Sequence, residues 1–370
     1  MPDVFPTGGP VGPHDIVDRS EFIDDLATRL GARHSCVVAA PRRQGKTSVA
    51  HEALRRLRGA GGTQTVAVDV ARVSTVEELA ERLTVACLAN LTPVARGLGA
   101  VRGSLPKLLR APEVRAKIHD YELALAFPAR DTMKPSGEEL LDQALDLPEQ
   151  IAARDDALCV VLFDEFQALS AVGGARIMAR MRSAFQLQTH TAFLFLGSHA
   201  GMMSQLFGSP SQPFFRFATM LDLPPVPTPA WRTYLLARFA ELGMRADPAA
   251  LDLILEHTGG HPYDTMEAAF EAYMLGRRVG VVDSDLAAAA CQAAQARLFT
   301  VFEAEIDALG PAARATLGRL AKGEALHPRG TSRATSTRAL TFLQRSGVIR
   351  HDGHGRYAFV EPMLAHHLES

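Results

Sequence analysis

Between residues 36 and 223 the apolar residues gather in five short runs, uninterrupted at 36–40, 158–163 and 192–196 and broken by polar residues at 64–70 and 219–223, and the stretches between them carry apolar positions at helical spacing. Short, uninterrupted apolar runs alternating with amphipathic helices predict buried parallel strands in an α/β layer structure. Phe22, Ile23, Leu26 and Leu30 mark a helix before the first run, with Ser20 as its expected cap. Val76, Leu79, Leu83 and Leu88 mark another over 74–90, where Ser74 to Glu77 reads as a capping box. Residues 1–14, rich in Pro and Gly, read as an irregular arm. Residues 91–149 carry helical patches and a Pro-Ser-Gly break at 135–137, and are expected to form a helical insertion on the sheet surface. After PPVPTP at 224–229, a linker by composition, the pattern turns helical over 231–242, 248–257, 262–275 and 283–298, interrupted by TGGHP at 258–262. From Phe302 on, short helices at 311–320 and within 331–346 precede two strands in 348–360, the pattern of a winged helix. The expected domains are 1–225, 226–300 and 301–370.

Composition narrows the function classes. The 370 residues are 47% hydrophobic and 22% charged, as in an ordinary globular protein rather than a disordered or fibrous one. A formal net charge of −2 excludes a globally basic nucleic-acid coat, so any such contact is local. The region 311–360 is locally basic, with nine arginines and lysines against two acids, a net of +7. It is suited to phosphate backbones, although arginines also solvate alanine-rich helices. Four cysteines, Cys36, Cys87, Cys159 and Cys291, lie far apart without a C-x-x-C pair, as expected of buried thiols in a reducing compartment. No apolar stretch reaches membrane-spanning length and the first residues lack signal-peptide character, so the expected location is cytoplasmic.

The candidate chemistry sits at the ends of the apolar runs. After the first run come Ala40, Pro41, Arg42, Arg43, Gln44, Gly45, Lys46, Thr47 and Ser48, a strand–loop–helix start with the Walker A ending Gly-Lys-Thr. Such a loop points backbone NH groups at a phosphate chain, Lys46 neutralises the β- and γ-phosphates, and the Thr47 hydroxyl ligates Mg²⁺. Ala40 stands where the first glycine of the motif is expected; alanine keeps the donors but narrows the dihedrals. The run LCVVLF at 158–163 ends in Asp164 and Glu165, a Walker B pair that divides the work: Asp164 for the Mg²⁺ shell, Glu165 to orient and activate water. The fourth run ends in Gly197, Ser198 and His199, placing Ser198 first and His199 second as a γ-phosphate sensor, or Ser198 as a helix cap. Arg216, in PFFRF, reads either as an arginine finger, within one chain or between two, or as a pin between helix and sheet. Arg19, in an Arg-x-Glu pair with Glu21, reads as part of a lid over adenine or as helix capping, and His261 and Pro262 read as a turn facing the nucleotide or as the sequel of a helix-ending glycine pair.

With RRQGKTS, LFDEFQ, LFLGSHAGMMSQLF, PFFR and TGGHPY in that order, and the FVEPMLAHHL tail, the chain resembles the archaeal-type P-loop ATPases of the AAA+/STAND group, relatives of origin-recognition ATPases. The resemblance implies an αβα sandwich with a parallel five-stranded sheet, a helical lid and a C-terminal winged helix, binding ATP and Mg²⁺ as a nucleotide-gated switch or scaffold. It also implies catalytic roles for Lys46, Glu165, Ser198 and Arg216. No arginine follows TGGHP in the lid helix, where many relatives keep a second sensor, which implies slow hydrolysis. The partners it implies are ATP or ADP, duplex DNA through the winged helix, and a protein partner or further copies of the chain, with no membrane.

Overall fold

A computed structural model describes residues 4–89, 136–328, 332–353 and 356–369. Five parallel strands, β1 (Cys36–Ala39), β2 (Thr63–Asp69), β3 (Leu158–Asp164), β4 (Thr191–Gly197) and β5 (Thr219–Asp222), form one sheet in the order β2-β3-β4-β1-β5. This agrees with the expected α/β class and strand number. Helices α1 (Ser20–Gly31) and α2 (Lys46–Ala60) cover one face; α3 (Val76–Leu88), α4 (Gly137–Arg154), α5 (Gly174–Phe185) and α6 (Ala200–Gly208) supply the other. Strands β1, β3 and β4 are buried on both sides because their residues alternate between two cores, whereas β2 is partly and β5 largely exposed. Val38, Val160, Leu162, Leu194 and Leu196 pack with Ile23, Leu26, Val49 and Leu54. Val37, Val161, Phe163, Phe193 and Phe195 face the other way, into a core that includes Phe166, Phe185, Phe207 and Phe214. The Phe166 and Phe195 rings lie 4.6 Å apart, and Phe185 and Phe193 stack at 3.8 Å.

Three local expectations are corrected. Gly137–Arg154 belongs to the core rather than to a surface insertion: Leu141, Ala144, Leu145, Leu147 and Ile151 are buried beside α3 and the sheet. The Pro-Ser-Gly break is its start, where Ser136 Oγ accepts from the Glu139 amide at 3.3 Å and Glu139 Oε2 accepts from the Ser136 amide at 2.7 Å. The rest of the expected insertion, 91–135, lies outside the described residues. The cap of α3 is Thr75, with Glu78 reaching back to the Ser74 amide, one residue along from the expected box. Ser20 is the first helical residue of α1, and the position before it is Arg19, in left-handed backbone at φ 67°.

Beyond the sheet lie α7 (Thr228–Glu241), α8 (Pro248–Thr258), α9 (Pro262–Gly276) and α10 (Ser284–Asp307), then α11 (Pro311–Ala321), α12 (Arg333–Arg345), the antiparallel pair β6 (Ile349–His351) and β7 (Tyr357–Phe359), and α13 (Pro362–Glu369). The expected boundary at residue 300 cuts α10, whose Phe302 and Ile306 remain in the helical core formed by Trp231, Leu235, Phe239, Leu251 and Ile254. Phe5 from the arm and Met363 and Leu364 from α13 enter the same core. The winged-helix segment adds a small core of its own from Leu309, Leu317, Leu340, Leu343 and Ile349.

Candidate functional site

Register puts the candidate chemistry along one edge. Ala39 pairs with Gly197, Phe163 with Phe195 and Asp69 with Asp164, so β1, β3 and β4 finish level with one another and release the phosphate loop, Asp164, Glu165 and Ser198 side by side. This is the carboxyl edge of the sheet, where open α/β folds bind ligands. The loop turns through left-handed backbone at Arg43 (φ 63°) and Gly45 (φ 82°) before α2 begins at Lys46. Only glycine takes such a φ without cost, and a Cβ on Gly45 would also sit 3.0 Å from the Arg19 guanidinium.

Lys46 Nζ lies 3.0 Å from Glu165 Oε1, and the Thr47 hydroxyl donates to Asp164 Oδ2 at 3.0 Å. A hydroxyl and a carboxylate in contact beside the loop are the oxygen donors Mg²⁺ requires, so the residues present fit that ion. Glu165 Oε2 accepts from Ser198 Oγ at 2.6 Å, from the Ser198 amide at 3.2 Å and from Gln167 Nε2. Burial alone would raise the Glu165 carboxyl, but the Lys46 charge and these donors hold it down at about 2. Asp164 moves the other way, because burial outweighs the help it receives from Lys46 and Thr47. Lys46, Thr47, Asp164, Glu165 and Ser198 therefore form one hydrogen-bonded and ionic constellation.

A cavity of about 390 Å³ opens next to it. Arg43, Gly45, Lys46, Thr47 and Ser48 form one wall, Ile16, Val17, Val226, Tyr263 and Met266 the apolar end, and arm residues 6–11 a cover. The Val11 amide donates to Ser48 Oγ at 3.0 Å, fastening the cover to α2. Ala40, Pro41 and Gln44 line a second cavity, of about 790 Å³, between the loop and α12 and β6. Ala40 is buried, and Arg42 is exposed.

The remaining expected residues divide. Arg19 lines the cavity but also braces the loop: Nη1 donates to the Gln44 carbonyl at 2.6 Å and Nε to the Pro224 carbonyl at 3.1 Å, and burial lowers its guanidinium to about 10. Pro262 lines the cavity and His261 does not; the imidazole caps α9 and sits 3.1 Å from Asp264. His199 Nδ1 lies 3.3 Å from Gln167 Nε2, one residue beyond the sensor position. Arg216 is not brought to the site. It stands over the Phe215 ring at 5.1 Å, just before β5, with Ser35 and Thr219 at the amino edge of the sheet. A finger within this chain's own site is thereby excluded, because β1 and β5 run parallel and their amino ends lie opposite the loop.

Gln167, the arm, Tyr263 and Met266 also contribute to the site, without having been among the expected residues. Gln167 bridges Glu165, Ser198 and His199, and its only signal was a position two residues past the acid pair. The arm covers the cavity, and Tyr263, the end of TGGHPY, and Met266, which no motif marks, give it an apolar wall.

No family model matches the sequence, and no curated protein matches it. Among solved structures, the chain is similar to the Walker-type ATPase of Pyrococcus abyssi, with 18% identity and a TM-score of 0.68 over 100% of both chains. It is similar to the ORC2 protein of Aeropyrum pernix in ADPNP–ADP complexes, with 16% identity and a TM-score of 0.61 over 99% of this chain and 96% of that one. The ORC1 protein of Aeropyrum pernix in complex with DNA matches with 14% identity and a TM-score of 0.52, over 100% of this chain and 94% of that one. Sheet order, loop position and full-length superposition together give this chain the AAA+-like P-loop ATPase fold of the archaeal Walker-type and origin-recognition ATPases.

Proposed function

We propose that the protein is an ATP-binding switch that hydrolyses ATP slowly to ADP and phosphate and passes its nucleotide state to the C-terminal winged helix. One observation carries this reading: Lys46, Thr47, Asp164, Glu165 and Ser198 converge beside a cavity with an apolar end and a phosphate-loop wall. The base would occupy the apolar end between Val17, Val226, Tyr263 and Met266, and the triphosphate the loop. Thr47 and Asp164 would hold Mg²⁺, which supplies positive charge to the phosphate oxygens when bound. A triphosphate drawing Lys46 to itself releases one partner of Glu165, whose carboxylate then orients the attacking water while Ser198 and Gln167 hold it in place. The departure from glycine at Ala40 and the lack of a lid arginine support slow turnover. Arg216 would serve only the site of a neighbouring copy.

The test is Glu165→Gln, which keeps the shape and removes the base. Phosphate release is expected to fall to background while a non-hydrolysable ATP analogue still binds; equal turnover in the two proteins refutes the catalytic role. A second reading is a DNA-binding regulator in which ATP sets only conformation. Arg333 and Arg338 are exposed on α12 and favour it. Duplex binding that weakens steeply with salt and disappears when both become Ala would select this reading. Salt-independent or absent binding would select a protein-docking winged helix instead.

A further inference from the structure

Arg43 belongs to the phosphate loop and lines the cavity with Lys46 and Thr47, yet its guanidinium faces the C-terminal segment. Nη1 donates to both oxygens of Glu361, at 2.9 and 3.2 Å, and Nη2 lies 3.5 Å from Glu305 on α10. The same guanidinium stands 4.9 Å from the centre of the Tyr263 ring, itself a cavity wall. Arg43 holds left-handed backbone, a conformation costly for a side chain with a Cβ, so the contact is bought at the loop itself.

Behind Glu361 lies a second acid. His261, Asp264 and Glu361 offer ligand atoms within 4.8 Å of one another, and Asp264 is fully buried with its Oδ1 3.1 Å from His261 Nδ1. Two carboxylates packed this closely need positive charge. His261 serves Asp264, and Arg43 serves Glu361 in the place that a cation would otherwise take. Removing Arg43 leaves Glu361 half-buried against Asp264 without a cation of its own. Glu361 directly precedes α13, whose Met363 and Leu364 anchor the end of the winged-helix segment.

We propose that Arg43 is a positioning residue shared between the triphosphate and Glu361, so that binding of a nucleoside triphosphate unlatches the winged-helix segment from the phosphate loop. The inference rests on the cavity being the nucleotide site. Phosphate oxygens and Glu361 compete for one guanidinium, and the loser of that competition determines whether the segment stays docked. The coupling is reciprocal: a latch that nucleotide opens is a latch that weakens nucleotide binding while closed.

The test compares four full-length proteins for binding of a non-hydrolysable ATP analogue and for the separation of spin labels placed on α13 and on α2. Wild type is expected to show a nucleotide-dependent increase in separation. Glu361→Gln, which keeps the side-chain volume, is expected to show the increased separation without nucleotide and to bind the analogue about tenfold more tightly, the closed fraction no longer taxing affinity. The exchange Arg43→Glu with Glu361→Arg restores the ion pair with reversed polarity; the segment is expected to stay docked and the analogue to bind more weakly than in wild type. Lys46→Ala separates the two hypotheses, since analogue binding unaffected by it refutes the nucleotide site itself. Lys46-dependent binding with equal affinity in wild type and Glu361→Gln, and with no change in label separation on adding the analogue, overturns the latch while leaving the site intact. Thermal melting of each variant identifies a protein that has not folded, and then Glu305→Gln, which removes the weaker partner, is expected to shift affinity in the same direction as Glu361→Gln; no shift in that protein also overturns the latch.

Discussion

Gln167 illustrates how much of this site depends on single side chains placed by their neighbours. Its amide reaches Glu165, Ser198 and His199 at once, so it fixes the direction of the Glu165 carboxylate without touching the phosphate loop. Replacing it by Ala leaves Glu165 held by Lys46 and Ser198 but free to rotate. Gln167→Ala is expected to lower phosphate release by about tenfold to a hundredfold, with analogue affinity within about threefold of wild type. A parallel loss in binding would mean that the residue supports the loop rather than the carboxylate. Lys46, Thr47, Asp164 and Glu165 were legible because loop, strand and helix occur in a set order around them. Gln167 was not legible, because its partner Ser198 lies 31 residues away and only the pairing of β3 with β4 brings them together. Arg216 stayed open between a finger and a pin for the same reason in reverse: a sequence position just before β5 says nothing about which edge of the sheet it occupies until the strands are known to be parallel.

At the scale of elements, α4 carries the clearest lesson. Its apolar positions are helical, but they follow a long stretch without a recognisable core pattern, and the helix read as part of an insertion. Its packing against α3 and the sheet makes it one of the layers that keep β3 buried, and so holds the strand that presents Asp164 and Glu165. Leu145 has no exposed surface, and Leu145→Ala is expected to cost about 2–5 kcal/mol of stability, seen as a lower denaturant midpoint. Helix α4 as a loosely applied surface element would lose well under about 1 kcal/mol. The strands were legible because a strand buried on both faces must be apolar throughout, whichever partners it finds. The cap of α3 shifted by one residue because Ser74 and Thr75 are both competent, and only the backbone geometry selects Thr75.

Across the whole molecule, the seam between the helical lid, the phosphate loop and α13 is the feature with the largest consequences. Asp264, Glu361 and Glu305 face His261, Arg43 and Tyr263 there, and His257 and His366 stack at 4.4 Å alongside, with His257 sensing the Asp264 charge. Burial and the Asp264 charge raise the Glu361 carboxyl to about 7 against the pull of His261 and Arg43. Burial works against a charged His261, but Asp264 outweighs it and raises the imidazole as well. Both groups therefore hold a proton more tightly in the folded chain. Their contribution is complete below the unfolded values of 4.5 and 6.5 and is lost as pH rises, for Glu361 through about 7 and for His261 above 6.5. The melting temperature is expected to fall from about pH 6 to about pH 8, and Asp264→Asn, which removes the charge raising both groups, is expected to flatten that slope. An unchanged slope in Asp264→Asn would show that the seam does not titrate as a unit. By itself the sequence determined the strand–loop–helix order, the acid pair and the winged-helix pattern, because each rests on short-range rules of burial, capping and phosphate geometry. The tertiary structure alone decided which residues share the cavity, that Arg216 lies at the far edge of the sheet, and that Arg43 meets Glu361. Those contacts join residues as many as 318 positions apart, and a charge carries no local mark of the partner that will neutralise it.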